Sequence, residues 1–378
     1  MKCSWLSPED MASSMRPSVW ILAVFGITTR RSIPSVICTI LMGSFITVES
    51  VNEAMKTVFS NHPDLLYISV YLSGWIVNCL TATSFLIWQF RGTEVFKRMS
   101  SKITEMDQML LEDPMDCYQK TTIIQMIVMP LSIAFVAGLC YLFVSTSTRA
   151  DTTFPFKTIL FTSITTINVL STIHFTLLAL CLRHRFRAIN QIIESFADKD
   201  ESLIFTIPRM ENLFTRRTRR AQIIILLRKM HFALAEMVSS LNSVYGFPLM
   251  LHITAQFVRF VTFSCQLIRP NVTVEYTEIR AAYYVFLAFD FLQLLLLTSA
   301  CEMTSSEAHG TDFFVLKVLL SGNEDQLEVQ QLNIFLREVY NRRVVFRVFK
   351  CFTLDSSFMC GFIGAVISYI VLLLQNTA

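Results

Sequence analysis

Two ionisable residues fall where such groups are expensive to hold: Arg259 and Asp290 both lie inside long apolar stretches of the chain. In a hydrocarbon layer such groups pair with each other, line a water-filled cavity or meet a ligand. Arg259 falls about two turns from the end of its stretch and Asp290 about three turns into the next. Their depths differ by about one turn, which long side chains bridge. The residues leave two readings open: an ion pair between neighbouring helices, or polar groups in a pocket that opens outward.

Aromatic residues gather at the same depth. Tyr67, Tyr71 and Trp75 recur every four residues, and Tyr141, Phe161, Tyr283, Tyr284, Phe286 and Phe289 lie at a matching level, with His252 and Gln256 beside Arg259. A largely apolar, aromatic cavity with a few convergent polar groups is how small organic ligands are held. An interfacial aromatic belt with ordinary packing uses the same residue types.

Covalent chemistry finds no support. There is no HExxH, GxSxG, Walker loop or GxGxxG. His231 and His252 are far apart, and His174 sits mid-segment, where a hydrogen bond within a bundle suits it better than a metal. The ten cysteines show neither metal spacing nor a CxxC, and no extracellular pair that would build a disulfide framework. No enzyme activity, metal, cofactor or nucleic-acid partner is expected.

The last apolar segment carries a different pattern. Gly361, Ala365, Ser368, Leu372 and Gln375 share one stripe, at steps of four, three, four and three. Small residues in its lower part permit close helix approach. If several copies met at a symmetry axis, Leu372 would form a hydrophobic constriction and Gln375 a polar ring above it, an arrangement that gates by dewetting. The ordinary alternative is a helix packed on its own subunit.

Membrane helices must position these residues. The chain is 53% hydrophobic and only 16% charged, with a mean hydropathy of +0.50, against about 25% charged residues in ordinary globular domains. Seven apolar blocks stand out: Ile33–Asn52, Leu65–Phe90, Thr122–Thr146, Thr158–Leu182, Val238–Cys265, Ala281–Cys301 and Leu354–Gln375. Most can cross a hydrocarbon layer of about 30 Å as helices; the first is weakest, because Glu49 and Glu53 crowd its end. Met1 to Ala12 holds no basic region followed by an apolar run, so no cleaved signal peptide is expected.

Charge orients the spans. Twenty-six of the 32 Lys and Arg residues fall in the first 32 residues or in the loops after spans two, four and six; five fall on the other side, and Arg259 is within a span. Basic residues stay cytoplasmic on insertion, which predicts the N-terminus inside and the C-terminus outside. The only N-x-S/T sequon, at Asn271, falls in a loop this assignment puts outside, where it could be glycosylated.

The chain then divides into a cytoplasmic segment over 1–32, a six-helix bundle with cytoplasmic extensions over 33–301, a cytoplasmic loop with an anchor helix over 302–353, and a last helix over 354–378. Arg183–Ser195, Ala221–Met237 and Leu327–Phe349 carry apolar residues at helical spacing. These stretches are expected to continue as helices past the bilayer and pack together, rather than lie flat on the inner leaflet. Ala197–Ile207 reads as a loop.

The end of the last segment, Ser368-Tyr369-Ile370-Val371-Leu372-Leu373-Leu374-Gln375-Asn376, resembles the signature of the insect gustatory receptor family: Thr-Tyr, five hydrophobic residues, Gln-Phe. Ser replaces Thr, and Asn376 replaces Phe. Arg187 to Asn190, His231, Leu241-Asn242, Tyr245-Gly246 and Cys351 to Asp355 are also similar to family stretches, so the resemblance covers nearly the whole chain. It implies a ligand-gated cation channel in a sensory-neuron plasma membrane. It also implies a tetramer, with itself or with related receptors, whose last helices line a pore, and a pocket in each subunit for a small organic ligand. Ser368, Tyr369, Leu372, Gln375 and Asn376 match the gate region. Sugar-sensing members place Glu after the Tyr; Ile370 here points to bitter or other non-sugar compounds.

Two other classes share some of these features. A G-protein-coupled receptor has seven spans but the opposite orientation, and the chain has no Asp-Arg-Tyr or Asn-Pro-x-x-Tyr at a span end. A transporter is expected to show inverted repeats and broken spans, and no internal repeat is found.

Overall fold

The computed structural model describes residues 8, 10–24, 65–110, 114–147, 154–198, 216–268, 277–321 and 325–375. Two short helices, α1 (Met11–Ser14) and α2 (Arg16–Val24), precede five long ones: α3 (Leu65–Leu110), α4 (Pro114–Ser147), α5 (Phe154–Asp198), α6 (Arg216–Ile268) and α7 (Thr277–Ser321). Then come α8 (Gln326–Asn341), the two-residue strands β1 (Arg347–Val348) and β2 (Phe352–Thr353), and α9 (Ser356–Gln375). The segments expected as spans two to seven are thus helices, five of them far longer than a bilayer requires. The expected first span, Ile33–Asn52, lies outside the described residues. Tyr118–Leu142, Thr162–Ala197 and Arg280–Ser321 are apolar and long enough to cross a membrane, and Ser356–Leu372 forms a shorter apolar helix.

The helices make an antiparallel bundle. Phe186 on α5 meets His231 on α6 at a ring separation of 5.1 Å, and Phe175 meets Tyr245 at 5.0 Å, so residue numbers rise on one helix as they fall on the other. One continuous core follows α5 through Leu178, Leu182, Ile189, Ile192 and Phe196 into the extension rich in basic residues, hereafter the basic end. There α8 buries Leu332, Phe335 and Val339 against α6 and α7. This apolar stripe turns inward because partner helices cover it. The N-terminal helices dock on the same core, with Ser18 Oγ 3.1 Å from His174 Nδ1.

Two expectations need correction. The loop expected after Phe90 is helical: α3 continues through Met99, Ile103 and Met106, which are buried. The helix expected over Leu327–Phe349 ends at Asn341. Beyond it Val344, Phe346 and Val348 are buried while Arg347 is exposed, an alternation with the period of a strand. A hairpin therefore takes the place of the helix end, with Arg347 opposite Thr353 and Val348 opposite Phe352. Of the loop expected over Ala197–Ile207, the first two residues belong to α5 and the rest lie outside the described residues.

Candidate functional site

In the half of the bundle away from the basic end, α6 and α7 bring the two intramembrane ions together. Arg259 Nε donates to Asp290 Oδ2 at 2.8 Å and Nη2 to Oδ1 at 3.0 Å, a bidentate pair. One turn along α6, the Gln256 amide donates to the Asp290 carbonyl and to Gln293 Oε1, both at 3.4 Å. The ion-pair reading of Arg259 and Asp290 thus describes their contact, within a larger polar layer.

That layer holds more hydrogen-bonding capacity than it uses. Both ring nitrogens of His252, both amide atoms of Asn168, Gln256 Oε1 and Gln293 Nε2 are buried with no hydrogen-bond partner. Asn168 and His252 lie seven residues from the Phe175–Tyr245 contact, on the same side of it along α5 and α6. Leaving such groups unpaired costs about 1–3 kcal/mol each, so their concentration makes this layer the candidate polar site. Asn168 and Gln293 were not singled out from the sequence. Their signal there is a lone amide within an apolar helix, which alone is weak.

Above the polar layer lies an aromatic one. Phe263 sits 4.9 Å from the Tyr283 ring and 5.9 Å from Phe286, and Phe135 sits 5.1 Å from Phe289. Phe263, Tyr283, Phe286 and Phe289 pack with Val136, Leu139, Cys140 and Val169 in a cluster separate from the main core. Of the aromatic residues expected here, Tyr283, Phe286 and Phe289 join this cluster. Tyr141 and Tyr284 do not: their side chains are 57% and 62% exposed on the bundle surface. Tyr67, Tyr71 and Trp75 fall within α3 and Phe161 within α5, but their side chains lie outside the described residues, as do Asn271 and Asn376.

The last helix lies on a neighbouring face of the same α6 turns. Phe257 and Phe260 of α6 meet Phe362 of α9 at 5.8 and 5.7 Å, and Phe257 meets Tyr369 at 5.4 Å. Met359, Phe362 and Val366 are buried there. Gly361, Ala365, Ser368, Leu372 and Gln375, the stripe seen in the sequence, are exposed. A Cβ added to Gly361 or Gly364 would meet nothing within 4 Å. The Ser368 hydroxyl donates to the Gly364 carbonyl at 2.8 Å, which removes a polar group from an apolar helix face. Residues 256, 259 and 263 thus face the polar and aromatic layers, while 257 and 260 of the same turns carry α9.

The hairpin fixes the base of α9. Asn242 on α6 donates to the Val345 carbonyl at 2.8 Å and accepts from the Arg347 N–H at 3.2 Å, as a strand neighbour would. One turn along, Gly246 allows the hairpin backbone close: a Cβ there would stand 3.0 Å from Phe349 N. Asp355 caps α9, accepting from Phe358 N at 2.9 Å, and Glu302 of α7 accepts from Ser356 N at 3.1 Å and Ser356 Oγ at 2.9 Å. Asn242, Tyr245, Gly246 and Cys351 to Asp355, scattered in the sequence, therefore meet in one joint. Below it, burial pushes the His231 imidazole down to about 4, offset in part by its hydrogen bond to the Ala308 carbonyl.

Comparison with known proteins agrees with this architecture. Two structures of the insect olfactory receptor OR5 from Machilis hrabei share the fold. The complex with eugenol superposes with a TM-score of 0.73 at 12% identity, covering 96% of this chain and 97% of that one. A second structure of the same receptor gives 0.72 at 12% identity, covering 97% and 98%. No curated protein sequence matches the chain. The sequence profile of the family described as 7tm Chemosensory receptor matches residues 20–376. With the profile running almost end to end, the chain belongs to the 7tm chemosensory receptor family.

Proposed function

We propose that this receptor is a ligand-gated, cation-selective channel of the gustatory branch, opened by a small non-sugar organic compound. The observation that carries the proposal is the division of labour on α6: one face holds the buried polar and aromatic layers, the other holds α9, whose small-residue stripe with Leu372 and Gln375 stays exposed. In this reading four subunits, identical or related, place α9 around a common axis. Leu372 forms a hydrophobic constriction and Gln375 a polar ring. The basic end lies in the cytoplasm, the C-terminus lies outside, and Asn271 faces outward, as charge distribution favours. The chain resides in the plasma membrane of a sensory neuron.

The ligand enters between α5, α6 and α7. Its apolar body lies against Phe263, Tyr283 and Phe286, and a polar group reaches His252, Gln256 and Asn168. The OR5 complex with eugenol supports a small organic ligand, and Ile370 in the position of the sugar-sensing Glu supports a bitter or other non-sugar compound. Ligand contact shifts α6 and α7, Phe257 and Phe260 carry α9 with them, and Leu372 leaves the axis. Membership of the family, together with the absence of Asp-Arg-Tyr and Asn-Pro-x-x-Tyr at a span end, disfavours a G-protein-coupled receptor; the family is no enzyme class.

The test is whole-cell recording from cells expressing the full chain, alone and with related receptors, against a panel of bitter plant compounds and sugars. A non-sugar compound should evoke a cation current that persists when G proteins are blocked with GDPβS in the pipette. A response that GDPβS abolishes contradicts the channel, and a response to sugars alone contradicts the ligand class.

A further inference from the structure

At the basic end, α5 and α7 enclose a groove of about 460 Å³, lined by Arg183 and Asn190 from α5 and by Glu302, Met303, Glu307 and Gly310 among the residues of α7. Its charges are mismatched within the subunit. Arg185, two residues on, is paired with Asp107. Arg183 Nε is buried with no hydrogen-bond partner. The carboxylates have partners but retain capacity. Glu307 accepts from Asn190 Nδ2 at 3.2 Å and Glu302 from Ser356, while a carboxylate offers about four acceptor sites. The groove thus presents one guanidinium lacking a partner for Nε and, across from it, two carboxylates able to accept more N–H donors.

Depth narrows the ligand. Arg183 follows directly on the expected fourth span and Glu302 on the sixth, so the groove lies at headgroup level in the inner leaflet. Leu292, Leu296, Ser299 and Met303 continue its α7 wall toward the bilayer centre on one helical stripe, and Leu292 and Leu296 are 51% and 56% exposed. A molecule with a phosphate, an amine that donates N–H, and apolar chains pointing away from the basic end matches all three features.

We propose that the groove is a binding site for an aminophospholipid of the phosphatidylethanolamine class. The phosphate lies on the Arg183 guanidinium, whose planar fork suits it. The primary ammonium donates to Glu302 and Glu307, and an acyl chain follows Leu292 and Leu296. The trimethylammonium of phosphatidylcholine has no N–H to donate, and the two carboxylates repel a polyanionic headgroup. Glu302 also holds the first residue of α9, so the bound lipid touches the base of the proposed gate. The placement of the groove in the inner leaflet rests on the orientation proposed above.

The test uses purified full-length receptor in phosphatidylcholine nanodiscs doped with phosphatidylethanolamine, with retained lipid read by native mass spectrometry. The wild type should retain phosphatidylethanolamine over phosphatidylcholine by about tenfold, the scale of one or two charge-assisted hydrogen bonds. Glu302→Gln with Glu307→Gln should abolish that preference, and Arg183→Gln should release both lipids. Gly310→Leu guards against misfolding: a Cβ there meets only a Phe314 ring carbon at 4.0 Å, so the added side chain starts unobstructed from a position that lines the groove. It should release the lipid while the melting temperature holds. Equal retention of the two lipids by the wild type, unchanged retention in Gly310→Leu, or a preference for phosphatidylinositol would overturn the proposal, as would displacement by millimolar soluble phosphoethanolamine. None of these readouts uses current, so their failure leaves the channel proposal standing, and a receptor without current leaves the lipid result intact.

Discussion

Arg185 on α5 reaches Asp107 on α3 in the buried core of the basic end: Nη2 to Oδ2 is 2.6 Å and Nε to Oδ1 is 3.0 Å, with the side chains 1% and 0% exposed. The Tyr118 hydroxyl donates to the same carboxylate at 2.7 Å, and Arg185 Nη1 donates to the Cys181 carbonyl at 2.8 Å. The pair ties three helices through one carboxylate. Asp107→Asn strands a buried guanidinium and should destabilise the receptor by about 3–5 kcal/mol, read as a lower melting temperature in detergent. Asp107→Leu with Arg185→Met removes both charges and should recover most of the loss.

The polar layer near Arg259 holds both paired groups and groups without a protein partner. Asp290→Asn breaks a bidentate pair and should cost stability on the same scale, about 3 kcal/mol. His252→Phe should behave oppositely. Its ring nitrogens have no protein partner, so the change leaves nothing newly unpaired and should raise the melting temperature of the ligand-free receptor. It should also raise the half-maximal concentration of a hydrogen-bonding agonist about tenfold, which dose–response recording checks.

The hairpin turn is strained at a known place. Phe349 and Lys350 have φ of 46° and 61°, and Cys351 N bonds the Val348 carbonyl at 2.9 Å, so a type I′ turn is built without the Gly or Asn it favours. Lys350→Gly should stabilise by about 1 kcal/mol. Gly246→Ala presses a methyl onto the Phe349 backbone and should destabilise by about 1–3 kcal/mol. Thermal melts of the two variants should therefore move in opposite directions.

Which of these features the sequence discloses follows from how each is encoded. Spans are written in composition, so six of the seven blocks coincide with helices described here. The extensions of α5 and α6 are written in periodicity. The Asp107–Arg185 pair is written only as a charge on an apolar stripe: Arg185 continues Leu178 and Leu182 toward Ile189, and Asp107 neighbours Ile103 and Met106 on the buried face of α3. Each looks like a surface charge until the partner helix is in place. The hairpin was hidden because Val344, Phe346 and Val348 fit the end of a helical stripe nearly as well as a strand. Asn242 and Gly246, which make it a hairpin, are about a hundred residues away. The exposed side chains of Tyr141 and Tyr284 show the converse limit, since matching depth says nothing about which way a helix faces.

His231 supplies a pH signature. Its imidazole titrates near pH 4 in the fold against about 6.5 in the unfolded chain. Below pH 6.5 the unfolded chain takes a proton that the folded one refuses, so this contribution is complete above pH 6.5 and declines as pH falls toward 4. The expected loss between pH 7.5 and pH 5 is about 2 kcal/mol. His231→Gln should flatten that part of the melting-temperature profile, which parallel melts of variant and wild type would reveal.

The exposed face of α9 is tested most directly by a cysteine at Leu372. In cells expressing Leu372→Cys, a small cationic methanethiosulfonate reagent applied outside during agonist exposure should block the evoked current, and react far more slowly without agonist. Modification that leaves the current unchanged, or proceeds at the same rate with and without agonist, would contradict a ligand-opened passage lined by this helix.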